Sequence, residues 1–314
     1  MPRLTRTEIL EHPLFPSIEK QIAKHLISIH LGAPRMSRLK SSHRKWLMTQ
    51  CLFSIALRRS PDDPMSGLTT TRFVDTILRE GIASRNTATG FVAEWVAYKF
   101  LRDAPDVPDR RVRIFELTEI ILNGVRSWFD GHLACLDRLD GGCREALSKA
   151  HPALFRQAQP QVADMLVADP IWRTPPDTIG HFLWCEQGGI VLHDLIERLA
   201  DDAWGQERLP VGKVKLIELS TTYQVSATNL KRMFQNAEGE QLLGWEMARR
   251  RGCLWLHQRF VEDYFIWQSA KFAAIDSAFH DAADRRGLDT AEVALDGAVI
   301  AAQYDVPPPS SYHV

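Results

Sequence analysis

A chain that repeats its own pattern is confined to folds that can be assembled from two similar halves. The stretch HPLFPSIEKQIAKHL, beginning at His12, returns as HPALFRQAQPQVADML, beginning at His151. Leu14 and Phe15 align with Leu154 and Phe155, and Gln21, Ile22 and Ala23 with Gln161, Val162 and Ala163, a displacement of 140. Ser84-Arg-Asn-Thr aligns with Ser226-Ala-Thr-Asn at a displacement of 142. Trp128 and Asp137 align with Trp267 and Asp276 at 139. One match would be noise, but three in order at nearly constant displacement indicate an internal duplication. The drop of three after the second match predicts a shorter hairpin loop in the second copy.

The local patterns give each copy its elements. Ile18, Ile22, Leu26 and Ile29 recur at helical spacing, so 14–29 is a helix. A basic loop is expected over 35–45, then an apolar helix over 46–57. SPDDPMSG, from Ser60 to Gly67, is turn chemistry. Thr69 caps a helix that runs to about Glu80, with Phe73, Ile77 and Leu78 inward and Gly81 closing it. Ser84 caps the next, with Phe91, Val92 and Trp95 inward. Then come a strand, a proline-broken loop over 104–109, a strand edged by arginines around Val112 and Ile114, and a long helix over 119–139. Three helices, a turn, a helix, a two-stranded hairpin and a long helix form the order of a winged helix-turn-helix with an added N-terminal helix. The expected fold is mostly α with small β-hairpin wings, as two winged helix-turn-helix domains related by pseudo-two-fold symmetry. The first occupies 12–142 and the second 151–286, with a partly disordered C-terminal extension over 287–314.

Composition narrows the setting. A quarter of the 314 residues are charged and 45% are apolar, which suits globular cores. The net charge of −1 means that any nucleic-acid surface must be local. Five scattered cysteines without a CxxC argue against a disulfide framework. No signal-peptide core and no run of membrane-spanning length stand in the sequence, so no membrane partner and a cytoplasmic, nucleoid-associated location are expected.

The segment Asp109-Arg-Arg-Val-Arg-Ile-Phe-Glu-Leu-Thr resembles the wing signature of MarR-type bacterial regulators: Asp, any residue, Arg, then Leu-Thr eight and nine positions after the Asp. The stretch from Ser84 to Trp95 and the following loop keep that family's order. The second copy departs from it: Ala248 stands at the aspartate position, Arg250 at the arginine, and His257 at the threonine. The resemblance implies a dimer of winged domains fused into one chain, a monomeric pseudo-dimer on double-stranded DNA.

A recognition helix in the major groove needs polar or forked basic side chains outward near its N-terminus. The first copy offers Ser84, Arg85, Asn86, Thr87 and Thr89, with Gly90 permitting close approach; the second offers Ser226, Thr228, Asn229, Lys231 and Arg232. Arg110, Arg111 and Arg113 of the first wing, and Arg249, Arg250 and Arg251 of the second, suit phosphates or a narrow minor groove, with Asp109 orienting Arg111. The function expected is a sequence-specific transcriptional regulator. A plasmid-type replication initiator with tandem winged helices and a winged-helix protein-interaction scaffold stay open as alternatives. No catalytic, metal or cofactor motif is present, and nothing in the sequence supports a small-molecule effector. Trp46, Trp95, Trp128 and Trp267 read as core, and Cys51 and Cys135 as inert buried thiols.

Overall fold

The computed structural model describes residues 1–39, 41–109, 111–201 and 203–288. Arg110 and all of the C-terminal extension after Leu288 lie outside them. The described residues form fifteen helices and five short strands. In order they are α1 (Arg6–Glu11), α2 (Phe15–Gly32), α3 (Pro34–Leu39), α4 (His43–Leu57), α5 (Thr70–Arg79), α6 (Arg85–Ala97), β1 (Leu101–Asp103), β2 (Phe115–Leu117) and α7 (Glu119–Asp140). There follow α8 (Arg144–Ala150), α9 (Pro152–Ala168), α10 (Pro170–Arg173), α11 (Asp177–Leu183), α12 (Gly188–Glu197), β3 (Arg208–Gly212), α13 (Leu216–Tyr223), α14 (Ala227–Gly239), β4 (Leu243–Met247), β5 (Arg251–His257) and α15 (Gln258–Arg285). The chain is mostly helical, with two small antiparallel sheets.

The stretch 35–45, expected as a basic loop, holds α3 and the start of α4 instead. Ser42 makes that start, because its hydroxyl accepts the Lys45 N–H at the N-cap. The cap of α5 is Thr69, which accepts from Arg72 N at 3.1 Å. Gly81 leaves α5 with φ +63, and Ile82 N returns to Ile77 O, closing the helix as a Schellman turn.

The arginine-edged strand is corrected. β2 begins only at Phe115, and Arg111 to Ile114 lie in the loop before it. Asp109 starts that turn by accepting the backbone N–H of Arg111, and a side chain that caps a turn competes with ladder pairing. The first sheet is therefore two three-residue strands plus one bridge from Leu68 to Phe115. The second has three strands in the order β3-β5-β4. Its hairpin loop is shorter, as expected: residues 248–250 separate β4 from β5, against 104–114 in the first sheet.

The two halves of the chain, expected from the sequence as copies, are knitted by exchange. α2 of the first copy packs on α12 of the second, while α9 of the second packs on α4 of the first. Each also contacts the long helix of its own copy, α2 on α7 and α9 on α15, and α7 and α15 touch each other. Phe15, Ile18 and Ile22 of α2 and Leu154, Phe155 and Val162 of α9 are buried in these contacts. Gln21 and Gln161, matched in the duplication, both carry side-chain hydrogen bonds to charged partners, Arg138 and Asp281.

The connection between the copies is pinned by one buried arginine. Arg144 is fully buried and gives Nε to Asp276 at 2.6 Å, Nη2 to Asp140 at 2.7 Å and Nη1 to Asp137 at 3.3 Å. Asp137 and Asp276, equivalent in the duplication, thus share one guanidinium. Such a site holds charge in the interior because the cation's donors and the anions' acceptors satisfy one another.

Candidate nucleic-acid interface

The two helices expected as recognition helices, α6 and α14, are both thirteen residues long. Ser84 accepts from Thr87 N at 3.3 Å and Ser226 from Asn229 N at 3.2 Å, so both start on the same serine cap. Ala88, Phe91, Val92 and Trp95 turn inward in α6; Leu230, Met233, Phe234 and Ala237 do so in α14. The opposite face of each first turn is left to solvent. Arg85, Asn86, Thr87 and Thr89 are exposed in α6, and Thr228, Lys231 and Arg232 in α14. Asn229 is half-buried and accepts from Arg232 at 3.3 Å, which ties two of the candidate contact residues together.

The two hairpins expected as wings differ in charge. Asp109 takes Arg111 in a fork, with Nε at 3.0 Å and Nη2 at 2.9 Å. Asp103 takes Arg113 at 2.6 and 3.2 Å, and Arg102 faces Glu116 at 3.2 Å. The arginine hydrogen bonds hold both aspartates below the usual carboxylate range. Every described arginine of the first wing is thus matched by an acid on the same surface.

In the second wing only Arg250 is paired, with Glu238 at 3.0 Å, while it lies over the Trp245 ring. Ala248 therefore does not leave Arg250 free: α14 supplies the acid that the wing lacks. Arg249 and Arg251 have no carboxylate within 4 Å among the described residues, and both are exposed. Arg249 and Arg250 both have positive φ, +61 and +57, the strained conformation of a tight hairpin turn. Behind them the sheet is stiffened by layering: Arg208 covers Trp255, and Gly244 sits so close beneath that ring that a Cβ would fall 2.5 Å from it.

One feature escaped the sequence reading. Trp128 and Trp267 are buried in the core as expected, and with the half-buried Trp46 and the buried Trp172 they wall a cavity of about 110 Å³. Trp95 lies beyond Trp46 and Trp128, on a smaller cavity. Trp172 stacks on Trp267 at 4.4 Å and lies 4.5 Å from Trp46, and its indole N–H donates to the Trp267 carbonyl at 3.0 Å. His43, on the same wall, donates its Nε2–H to the Trp172 carbonyl, and burial pulls its pKa down to about 4. Lys271 completes the lining, and burial pulls it down to about 8. Beside it Glu19 is pushed up to about 8 by the same desolvation. Tyr264 neighbours Glu19 and bonds to His193 Nδ1 at 2.8 Å, yet neither Glu19 oxygen has a partner of hydrogen-bond geometry among the described residues. Cys51 and Cys135 are buried, and burial raises both thiols to about 12, which keeps them protonated. No helix among the described residues is long and apolar enough to cross a membrane.

No protein-family model, curated protein or solved structure matches the chain.

Proposed function

We propose that the protein is a sequence-specific DNA-binding regulator, built as two MarR-like winged helix-turn-helix domains related by an approximate two-fold axis within one chain. The observation that carries this is the paired presentation of α6 and α14. Both are serine-capped, equal in length, preceded by a short helix and followed by a hairpin, and both expose polar and basic side chains near the N-terminus. The exchanged packing of α2 and α9 supports a fixed relation between the two halves. Double-stranded DNA is the partner: the helices enter successive major grooves and the wings flank them.

The charge difference between the wings divides the labour. Arg249 and Arg251 are free to meet phosphates. Arg111 and Arg113 must first leave their aspartates, so they contribute less attraction. The same neutral first wing favours a second reading for that half, a protein-docking module. Selection from random duplexes tests the proposal. Enrichment of a bipartite site with unequal halves, bound by the monomer, supports it. No enrichment, together with binding that does not weaken with salt, leaves the scaffold reading.

A further inference from the structure

Two helices begin at the tryptophan-walled cavity. Ser42 and His43 line it from the start of α4, and Gln187, Gly189 and Ile190 from the start of α12. The two starts differ. Ser42 caps α4 by accepting the Lys45 N–H. Gln187 stands at the N-cap of α12 with φ +59, and its side chain makes no cap hydrogen bond. Gly188 N–H reaches the Cys185 carbonyl at 3.2 Å, but the amides of Gly189 and Ile190 find no acceptor among the described residues. Gly189 has no side chain, so what it shows to the cavity is backbone. First-turn amides left in this way carry partial positive charge and favour an anion.

A buried cation stands with them. Lys271 of α15 lines the same cavity and is 2% exposed. Among the described residues its ammonium has no hydrogen bond and no carboxylate within 4 Å, and it lies 5.7 Å from the Phe272 ring. Its nitrogen is nevertheless not sealed off, so the small part of the side chain that water can reach includes the ammonium. No acidic residue lines the cavity among the described residues. Glu19 lies outside the lining, and burial pushes its carboxyl up to about 8, so it offers little counter-charge at neutral pH. A buried ammonium without a counter-ion is costly, and an anion taken from solvent relieves it.

We propose that this cavity binds a short-chain monocarboxylate of about acetate's size, its carboxylate held by the Lys271 ammonium and the free amides of α12. An apolar cavity of about 150 Å³ holds benzene, with its six heavy atoms, so about 110 Å³ holds roughly four. Acetate has that many, and an aromatic acid has too many. A single negative charge matches Lys271, whereas a dianion would bring a second buried charge without a partner. Trp172 lies 4.5 Å from Trp46 and 4.4 Å from Trp267, and these indoles give the methyl group an apolar wall. An inorganic anion would leave that wall unused.

The test uses the full chain and sodium acetate. Saturation-transfer NMR should show the acetate methyl receiving signal from the protein. The thermal midpoint should rise saturably with acetate but not with sodium chloride at equal ionic strength, because a ligand that binds the folded chain alone stabilises it. Formate, which lacks the methyl, should bind several-fold more weakly, and benzoate should not compete. Lys271→Met keeps the apolar stem and removes the charge; it should weaken acetate by about tenfold or more with the helical circular dichroism intact. Equal responses to acetate and chloride would mean charge screening alone and overturn the proposal. Nitrate or phosphate binding as tightly as acetate also overturns it, as does benzoate binding more tightly. The anion series runs on the unaltered chain, so the outcome does not depend on how the variant folds.

Discussion

Glu19→Gln should make the protein more stable at neutral pH, although it removes an ionisable group near a lysine. Burial raises the Glu19 carboxyl from 4.5 to about 8. Between those values the folded chain keeps a proton that the unfolded chain has released. Stability from this group is therefore complete below pH 4.5 and falls as pH rises toward 8. At about 1.4 kcal/mol per pH unit, the loss between pH 4.5 and 7 is on the order of 3 kcal/mol. Lys271 acts in the opposite range. Its pKa is lowered to about 8, so its contribution is present above the ordinary lysine value of 10.5 and is lost as pH falls through 8. Together the pair gives a minimum near pH 8. The charged and titratable groups around it are Tyr264 from the same helix as Lys271, and Cys135, His132 and His193 from α7 and α12. Glutamine at 19 cannot titrate, and Gln159, matched to Glu19 in the sequence repeat, is likewise buried. Urea unfolding from pH 5 to 8 should show the wild-type midpoint falling by about 1 M or more relative to the variant. Parallel profiles would refute the reasoning, since they would mean that Glu19 reaches water or a partner that keeps it ionised.

Replacing Arg249 and Arg251 by Ala should lower the slope of log affinity against log salt by roughly 2, at about 0.9 per phosphate contact, whereas Arg111→Ala should change it far less; mobility shifts over a salt series measure both. Arg144→Ala strands Asp137, Asp140 and Asp276 in the interior and should cost about 3–5 kcal/mol, read as a large drop in thermal midpoint. Ser226→Ala removes the cap of α14 and should cost about 1 kcal/mol in a urea titration, with a matching loss from Ser84→Ala in α6.

The helices were legible because their signals are local. Thr69, Ser84 and Ser226 each bond within three residues, and Ala88 and Leu230 mark the buried stripe by periodicity. The residues matched in the sequence repeat, Phe15 with Phe155 and Trp128 with Trp267, are all buried. What escaped depends on long-range meetings. Asp103 neutralises Arg113 across a loop, Glu238 finds Arg250 from another element, and Trp46, Trp172 and Trp267 come from three distant helices. The strand expected at Arg111 failed for a nearer reason: Asp109 offered the backbone a turn.

The exchange of α2 and α9 also sets the order of events at the ribosome. α4 emerges early, but the helix that covers its buried face, α9, ends only at Ala168. α2 waits longer still, until α12 has appeared. During that interval Leu47, Leu52 and Ile22 are covered only by earlier elements such as α3, α5 and α7, so part of their apolar surface stays open until α9 and α12 are made. A pause in translation before α12 would prolong the exposure, and chaperone occupancy should follow that window.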